Sequence, residues 1–198
     1  VFLDDGAFDG YRGVGRDVTD EVEARREIDY LARFDPLTGL ANRTTLNGEL
    51  AGALKRLNHP GEAFALLLID LDHFKLVNET QGHLVGDDLL KQVAARLVDV
   101  IGNDGLVARI SADEFGVVLH AVARPEEAAA VAQTILDTLD RPFDLPNGEV
   151  TIGASIGIVC APGEAEDVAT LVRYADLALH SAKNEGRGRF GIFAPEMD

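Results

Sequence analysis

The stretch "RISADEFGVVLH", residues 109–120, decides the fold of this chain. Two apolar runs, residues 106–110 and 115–119, flank a polar tip at residues 111–114. Apolar runs separated by a few turn residues predict a β-hairpin. The tip carries two adjacent carboxylates and lacks the glycine that a tight hairpin turn usually requires. The carboxylates indicate what the chain binds, and the missing glycine bears on whether the bound molecule can react.

The composition bounds the class of protein. With 198 residues, 46% of them hydrophobic and 26% charged, the chain is long enough for one globular domain and a small appendage. It has no apolar run near the roughly 20 residues of a membrane span, and its start, "VFLDDGAFDG", lacks the basic region of a signal peptide. Cys160, the single cysteine, excludes an internal disulfide and is expected to be a buried, inert thiol. We expect a cytoplasmic protein without membrane insertion.

The net charge of −16 limits the partners. Sequence-independent binding to nucleic acid or to an anionic membrane requires a basic surface, so both are excluded. A nucleotide is not excluded, because a divalent metal ion can bridge phosphates and carboxylates.

The remaining pattern predicts an α+β domain. A charged helix is expected at 20–34, followed by turn chemistry at 35–43. Helical periodicity then covers 46–57, 89–101, 128–139 and 168–182, and strands are expected at 63–71, 106–110, 115–119, 150–161 and 189–194. A further hairpin is expected through residues 146–148. The order β-α-β-β-α-β with an added hairpin predicts a mainly antiparallel central sheet flanked by helices.

The first polar cluster joins the end of one strand to the hairpin tip. Asp70 ends an unbroken apolar strand and Asp72 follows it, while Asp113 and Glu114 lie at the tip. If that strand lies beside the hairpin, the carboxylates converge into an oxygen-rich site suited to Mg²⁺ and to a triphosphate. Taken singly, Asp70 or Asp113 is better explained as ordinary solvated turn chemistry.

Two further clusters are suited to the rest of a nucleotide. In "HFKLVNETQGHLVGDDLL" (73–90), the Asn78 amide and the Asp87 carboxylate match the hydrogen-bonding edge of guanine, although Asp87 alone is also a good first-turn helix acid. In "KNEGRGR" (183–189), Lys183 and Arg187 would hold terminal phosphates. That stretch is equally well explained as a helix end closed by Gly186.

Five motifs in register carry a family resemblance. They are "DPLTGLANR", "IDLDHFKLVNETQGHLVGDDLL", "RISADEFGVVL", "TIGASIGIV" and "YADLALHSAKNEGRGRF". Over residues 35–193 the chain resembles the GGDEF domains, the diguanylate cyclases of bacterial cyclic-di-GMP signalling. The resemblance implies a nucleotidyl-cyclase-like palm fold and a head-to-head homodimer with one GTP in each subunit. Each 3′-hydroxyl would attack the other α-phosphate, and pyrophosphate would leave.

The resemblance also implies roles for residues at the strand end and the tip. Asp70, Asp113 and the backbone carbonyl of Leu71 would bind Mg²⁺ or Mn²⁺, with Glu114 supporting the metal site. Asp113 would also be the general base, and Lys75 would stabilise charge on the phosphates.

A second group of residues would bind the substrate. Asn78, His83 and Asp87 would hold the guanine nucleotide. Lys183 and Arg187 would grip the far end of its phosphates.

The signature departs from the family at Ser111 and Ala112, where paired glycines are usual and would contact the substrate. We expect a left-handed backbone there, which costs a residue with a β-carbon roughly 1–2 kcal/mol. We also expect the Ala112 methyl group to project where ribose or phosphate should lie. Strain alone would weaken binding about ten-fold, and misplacing reacting atoms by about 1 Å would slow the reaction on the order of a hundred-fold.

Another departure lies upstream of the signature. The family's product-inhibition site is an Arg-x-x-Asp motif, but residues 101–105 here are "IGNDG". We therefore predict no feedback inhibition at that site.

The ends of the chain suggest a larger protein. Residues 1–19 resemble the end of a PAS sensor domain, 20–34 a signalling helix, and 194–198 the start of a linker to an EAL phosphodiesterase domain. The resulting hypothesis is a degenerate, GTP-binding regulatory domain with weak or no cyclase activity. The alternatives are an active diguanylate cyclase and a ligand-free dimerisation module. Keeping Asn78, Asp87, Lys183 and Arg187 together counts against the last.

Overall fold

The computed structural model describes residues 4, 19–59, 61–122, 124–163 and 167–198. The chain divides into two compact units, Val1–Leu31 and Ala32–Asp198. In the first unit, helix α1 (Thr19–Leu31) corresponds to the predicted charged helix and ends earlier than expected. Apart from Asp4 and Thr19, the proposed PAS remnant lies outside the described residues.

The second unit contains the following elements in chain order: β1 (Ala41–Asn42), α2 (Arg43–Arg56), β2 (Phe64–Leu71), α3 (Phe74–Gln81), α4 (His83–Ile101), β3 (Gly105–Arg109), β4 (Glu114–His120), α5 (Pro125–Leu139), β5 (Phe143–Leu145), β6 (Gly148–Val150), β7 (Ala154–Ala161), α6 (Val168–Asn184), β8 (Phe190–Ile192) and a 3₁₀ turn (Pro195–Met197). Within the described ranges, every helix is too short or too polar to cross a membrane.

The central sheet has the strand order β1-β3-β4-β2-β7-β8. Its inner pairs β3·β4, β4·β2 and β2·β7 are antiparallel, and the outer pairs β1·β3 and β7·β8 are parallel. Strands β5 and β6 form a separate hairpin. This is the predicted mixed α+β palm, with the hairpin of residues 109–120 packed beside β2 as expected.

Strand β2 forms the centre of the core because its side chains alternate between two packed faces. Leu67 and Ile69 face one apolar cluster with α4 and α5, while Leu66 and Leu68 face a second cluster with α2 and α6. All four are buried, and removing such a side chain from water contributes about 1.5–3 kcal/mol. The helices therefore cover both faces, and β2 is held in register along its whole length.

Helix α6 lies close to the sheet because glycine replaces a side chain beneath it. A β-carbon at Gly157 of β7 would stand 2.0 Å from the Ala175 carbonyl oxygen, which no side chain tolerates. This close approach brings the C-terminal end of α6 towards the end of β2. Packing therefore positions Lys183 and Arg187, the cations that we predicted to bind the substrate.

Three elements differ from the sequence-based expectation. Residues 74–81 form helix α3, which we did not predict, and the two-residue strand β1 was also missed. The strand expected over 150–161 begins only at Ala154, because its partner β2 ends at Leu71, directly opposite. The segment predicted as a linker, residues 194–198, packs on α6, where Asp198 pairs with Arg173. Phe193, just before it, stacks on Tyr174 with the ring centroids 3.9 Å apart.

Candidate functional site

The candidate site lies where β2 ends between β4 and β7. Asp70 stands opposite Glu114 on one side and Ser155 on the other. One residue later, the Leu71 N–H donates to the Asp113 carbonyl at 3.1 Å. The strand end and the hairpin tip therefore meet, as the order of the elements predicted.

Asp70 is the most electrostatically constrained carboxylate of this group. Burial raises the pKa of Asp70, and the Lys183 ammonium, 2.7 Å away, lowers it only in part. The negative charges of Asp113 and Glu114 raise the pKa of Asp70 further. The charges of Asp113 and Glu114 therefore oppose the ionisation of Asp70, and a cation added nearby would favour it.

The adjacent carboxylates of the tip diverge. Glu114 belongs to β4 and lines a cavity of about 800 Å³ between α2 and α6. Asp113 lines a different cavity of about 390 Å³ beside α3 and α4. Asp113 lies in the turn and Glu114 is the first residue of β4, so the two neighbours have separate surroundings.

The smaller cavity gathers Asn78, His83 and Ala112 of the predicted substrate residues, together with Lys75 and Asp113. It is lined by Phe74, Lys75, Asn78, Glu79, His83, Ala112 and Asp113. Asp87 lies one helical turn after His83 on the same side of α4, but it is not among these lining residues. Lys183 and Arg187 lie instead beside Asp70 and Asp72.

Asn78 is positioned by a glycine on the next helix. A β-carbon at Gly86 would stand 1.9 Å from Asn78 Oδ1 and 3.3 Å from the ring of Phe74. Gly86 is buried in the first part of α4. The absence of a side chain there lets α4 pack against the amide that borders the cavity.

The signature turn, residues 111–114, does not adopt the strained conformation that we expected. Among the described residues, the non-glycine positions with positive φ are His73, Ala121 and Arg187, so Ser111 and Ala112 are not left-handed. The turn closes through the backbone N–H groups of Ile110 and Ser111, which donate to the Glu114 carbonyl at 2.8 and 3.3 Å. The prediction of backbone strain was wrong, whereas Ala112 does border the cavity.

Arg109 braces the signature turn against an earlier loop. Its guanidinium donates to the Ala112 carbonyl at 2.9 Å and to the Asp35 carboxylate at 3.1 Å. Burial opposes the charge on Asp35, but hydrogen bonds from Thr38 and Arg109 outweigh it and hold the pKa of Asp35 below its usual value. Sequence analysis missed this pair, although the turn chemistry of residues 35–43 marked the loop.

The C-terminal end of α6 is closed as the simpler interpretation predicted. Gly186 N–H donates to the Lys183 carbonyl at 3.4 Å, and Arg187 N–H to the Ala182 carbonyl at 3.2 Å. This is the paired hydrogen-bond pattern of a Schellman motif. The residues that follow form what we call the glycine loop, residues 185–189, in which Arg187 and Gly188 have φ values of 61° and 60°.

The glycine loop is tied to the end of β2 by a carboxylate that sequence analysis did not assign. Asp72 is 7% exposed and accepts the Gly188 N–H at 3.0 Å. It also accepts the hydroxyl of the fully buried Ser155 at 2.8 Å. The only signal in the sequence was its spacing of two residues from Asp70.

The donor set is of the type that Mg²⁺ prefers, namely carboxylate and carbonyl oxygens. Among the described residues, however, no three His, Cys, Asp or Glu side chains are gathered closely enough to hold a metal ion alone. Asp70, Asp113 and the carbonyl of Leu71 would need oxygens from a ligand to complete the coordination. Such an incomplete set fits a metal that arrives with phosphates.

Comparison with known proteins agrees with this arrangement. Residues 32–189 match the family described as "Diguanylate cyclase, GGDEF domain". An uncharacterised signalling protein of Caulobacter vibrioides is 39% identical over 99% of this chain, and the cyclic di-GMP phosphodiesterase PdeR of Escherichia coli is 35% identical over 93%. The chain spans 25% and 27% of the lengths of these two relatives.

A solved structure shows the same fold. The GGDEF domain of TpbB from Pseudomonas aeruginosa superposes with a TM-score of 0.80 at 35% identity, covering 83% of this chain and 96% of that one.

Proposed function

The chain belongs to the GGDEF family of cyclic-di-GMP signalling, and we propose that it binds GTP with Mg²⁺ while forming little or no cyclic-di-GMP. The observation that carries the proposal is the composition of the smaller cavity. It combines Asn78, His83 and Asp113 with Ala112. A cavity of this kind has the polar groups that a guanine requires and a side chain where the family usually has none.

Each group in the site has a role in this proposal. The Asn78 amide would pair with the guanine edge, with His83 beside it and Asp87 completing the contact after a small adjustment of α4. Lys75, which is exposed and paired with Glu79 at 3.5 Å, would turn towards the phosphates. Lys183 and Arg187 would grip the far end of the phosphate chain.

The metal would be held by Asp70, Asp113 and the Leu71 carbonyl, with Glu114 adding negative charge nearby. A Mg²⁺ ion bound there would neutralise phosphate charge and favour in-line displacement. Asp113 would also accept the proton of the 3′-hydroxyl during any turnover. Such a reaction needs a second subunit, so a homodimer is part of this proposal.

Low activity would come from occupied space rather than from backbone strain. Ala112 borders the same cavity as Asp113. A nucleotide that meets the Ala112 methyl group there would be shifted relative to the catalytic carboxylate. A displacement of about 1 Å can slow a reaction on the order of a hundred-fold while most of the binding energy is kept. The domain would therefore still bind GTP while forming little cyclic-di-GMP.

A regulatory role follows from such a domain. PdeR, a phosphodiesterase, contains a region similar to this chain. We propose that GTP occupancy or dimerisation here controls attached domains, with a PAS sensor before residue 20 and an EAL phosphodiesterase after residue 198. The "IGNDG" sequence at 101–105 would leave it without feedback inhibition at the family's usual product site.

An active diguanylate cyclase is the second candidate. The specific observation in its favour is that neither Ser111 nor Ala112 has a positive φ, so the signature turn forms without the expected penalty. A ligand-free dimerisation module is the third. The gathering of Asn78, His83 and Asp113 around one cavity counts against it.

Two measurements on the same protein separate the three candidates. Calorimetric titration with GTP and Mg²⁺ tests binding, with ATP as the control for the guanine contacts. Chromatography of the incubated mixture then tests for cyclic-di-GMP. Binding without product supports the proposal, product supports the active cyclase, and the absence of both supports the dimerisation module.

A further inference from the structure

Asp72 is a buried carboxylate at the edge of the site that none of the proposed roles uses. We infer that Asp72, fixed by Ser155, is a positioning residue that holds the glycine loop so that Arg187 meets the terminal phosphates of the nucleotide. The inference rests on the proposed function, because it concerns how one of the proposed phosphate contacts is aimed.

The two oxygens of Asp72 make separate contacts. Oδ1 accepts the Ser155 hydroxyl at 2.8 Å, and Oδ2 accepts the Gly188 N–H at 3.0 Å. Ser155 is fixed in turn, because it lies fully buried on β7 directly opposite Asp70. The orientation of the carboxylate is therefore set by the central sheet, and the loop is attached to that fixed point.

The loop has a conformation that needs such an attachment. Arg187 has φ 61°, a left-handed conformation that is unfavourable for a residue with a β-carbon. Strained conformations of this kind persist only where the surroundings determine them. The Schellman motif holds the N–H of Arg187, and Asp72 holds the next N–H, so the arginine is fixed from both sides.

The same carboxylate lies near the guanidinium of Arg187. Nε of Arg187 lies 3.9 Å from Asp72 Oδ1, and the side chain is 49% exposed. Among the described residues, the terminal amino groups of Arg187 have no hydrogen-bond partner. The terminal amino groups are therefore available for bidentate contact with a phosphate.

Asp72→Ala removes both acceptor oxygens. It tests the inference through a comparison of the affinities for GTP and GMP. We expect GTP affinity to fall about ten-fold and GMP affinity to change less than about two-fold, since only GTP carries the terminal phosphates. Titrations without divalent cation should show the same selective loss, which separates loop positioning from an effect on the neighbouring Asp70. An equal loss for GTP and GMP, or no loss in a folded variant, would overturn the inference.

Asp72→Asn is the conservative rescue. An amide can accept the Gly188 N–H through its oxygen and donate to the Ser155 hydroxyl through its nitrogen, so the attachment is kept without the charge. We expect this variant to recover most of the GTP affinity that Asp72→Ala loses. Because the variant also keeps the buried hydrogen bonds, it remains informative if Asp72→Ala fails to fold. In that case, a small loss of affinity for GTP but not for GMP in Asp72→Asn would support the inference, and equal losses for the two nucleotides, or no loss, would contradict it.

Asp167→Ala is the matched control. Asp167 also accepts one backbone N–H and one hydroxyl, both from Thr170, at 2.8 and 3.1 Å, but at the opposite end of α6. Losing this helix cap should lower stability and leave the ratio of GTP to GMP affinity unchanged. If the ratio of GTP to GMP affinity changes equally in Asp72→Ala and Asp167→Ala, the change reflects a general structural effect.

Amide hydrogen exchange on ligand-free protein separates this inference from the proposed function. In Asp72→Ala we expect faster exchange confined to residues 186–189, and in Asp167→Ala no change in that loop. If wild type binds no GTP, the proposed function fails, and unchanged exchange would then overturn the positioning role as well. If wild type binds GTP and the loop exchanges normally in Asp72→Ala, only the positioning role fails.

Discussion

The glycine loop and the signature turn both reach the end of β2, but they are held there in different ways. In the glycine loop a left-handed arginine is fixed by the buried Asp72. In the signature turn, Ser111 and Ala112, which replace the glycines, do not have a left-handed backbone. The hydroxyl of Ser111 donates to the Glu114 carboxylate at 2.8 Å. The loop thus tolerates strain because it is anchored, whereas the turn avoids strain altogether.

This difference separates two effects of replacing a glycine. One is the conformation that a β-carbon forbids, and the other is the space that a β-carbon fills. At Ser111 and Ala112 the first effect is absent, so only the second can lower activity. The family's glycines would then matter at this turn for their lack of bulk.

The largest expected effect comes from restoring glycine at Ser111 and Ala112 together. If bulk is the defect, cyclic-di-GMP formation should rise on the order of a hundred-fold, and Ala112→Gly alone should give most of that gain. Stability should fall by about 0.4–1 kcal/mol per substitution, because glycine enlarges the unfolded ensemble at positions without strain. Chromatography and urea unfolding measure the two effects. A double variant that binds GTP and stays inactive would refute bulk as the cause, and a stabilised one would show that strain was present.

Arg109→Ala tests whether the signature turn also depends on an anchor. Arg109 and Asp35 have side chains that are 13% and 20% exposed, so the variant leaves a half-buried carboxylate without its cation. We expect a loss of about 2 kcal/mol in urea unfolding at neutral pH. Arg56→Ala, which breaks the more exposed pair with Glu49, should cost less than about 0.5 kcal/mol.

The Arg109 pair also has a defined pH dependence. Because the folded-state pKa of Asp35 is lowered, its contribution is present above the unfolded pKa and is lost as pH falls through the folded value. The difference between wild type and Arg109→Ala should therefore shrink as pH is lowered from neutral into the acid range. A difference that stays constant with pH would mean that the pair contributes little.

Gly86→Ala extends the comparison to a position where only space is at issue. Its β-carbon would displace the Asn78 amide, so we expect the preference for GTP over ATP to fall about ten-fold in calorimetry. Gly48→Ala is the control, because nothing lies within 4 Å of a β-carbon there and the helix should gain up to about 1 kcal/mol. Unchanged nucleotide preference in Gly86→Ala would remove Asn78 from the guanine contacts.

The smallest effect is expected for Asp70→Asn. Asp70 lies at the end of β2, which both the glycine loop and the signature turn reach. The folded-state pKa of Asp70 is raised, so its protonated form stabilises the fold at low pH, and that contribution is lost as pH rises through the folded value. Asparagine does not ionise, so the variant keeps this stabilising contribution at neutral pH. It should be more stable than wild type at neutral pH by up to about 1 kcal/mol, although it binds Mg²⁺ and GTP poorly. The gain should vanish well below the ordinary pKa of 3.8.

Asp88→Asn, which removes an exposed pairing with Lys91, is the control for that measurement. Its stability should change by no more than about 0.5 kcal/mol. If wild type is more stable than Asp70→Asn at neutral pH, the ion pair with Lys183 stabilises the fold by more than burial of the Asp70 charge costs.

The sequence was sufficient for the elements that pattern and motif determine. The apolar run of β2 and the hairpin at residues 109–120 predicted the centre of the sheet, and the motif spacing predicted that Asp113, Asn78 and His83 would be neighbours. Helix α3 was missed because it has only eight residues, fewer than the window over which helical periodicity becomes distinct. Asp72 was missed because its role depends on Gly188, a partner 116 residues away.

The ammonium of Lys183 already satisfies Asp70 before any ligand arrives. A divalent ion would therefore enter by exchange, and the energy of the broken pair would be subtracted from its affinity. The displaced lysine would then be free within a side chain's length of the incoming phosphates. Metal and nucleotide would in that case bind as coupled partners, each strengthening the other by the same factor.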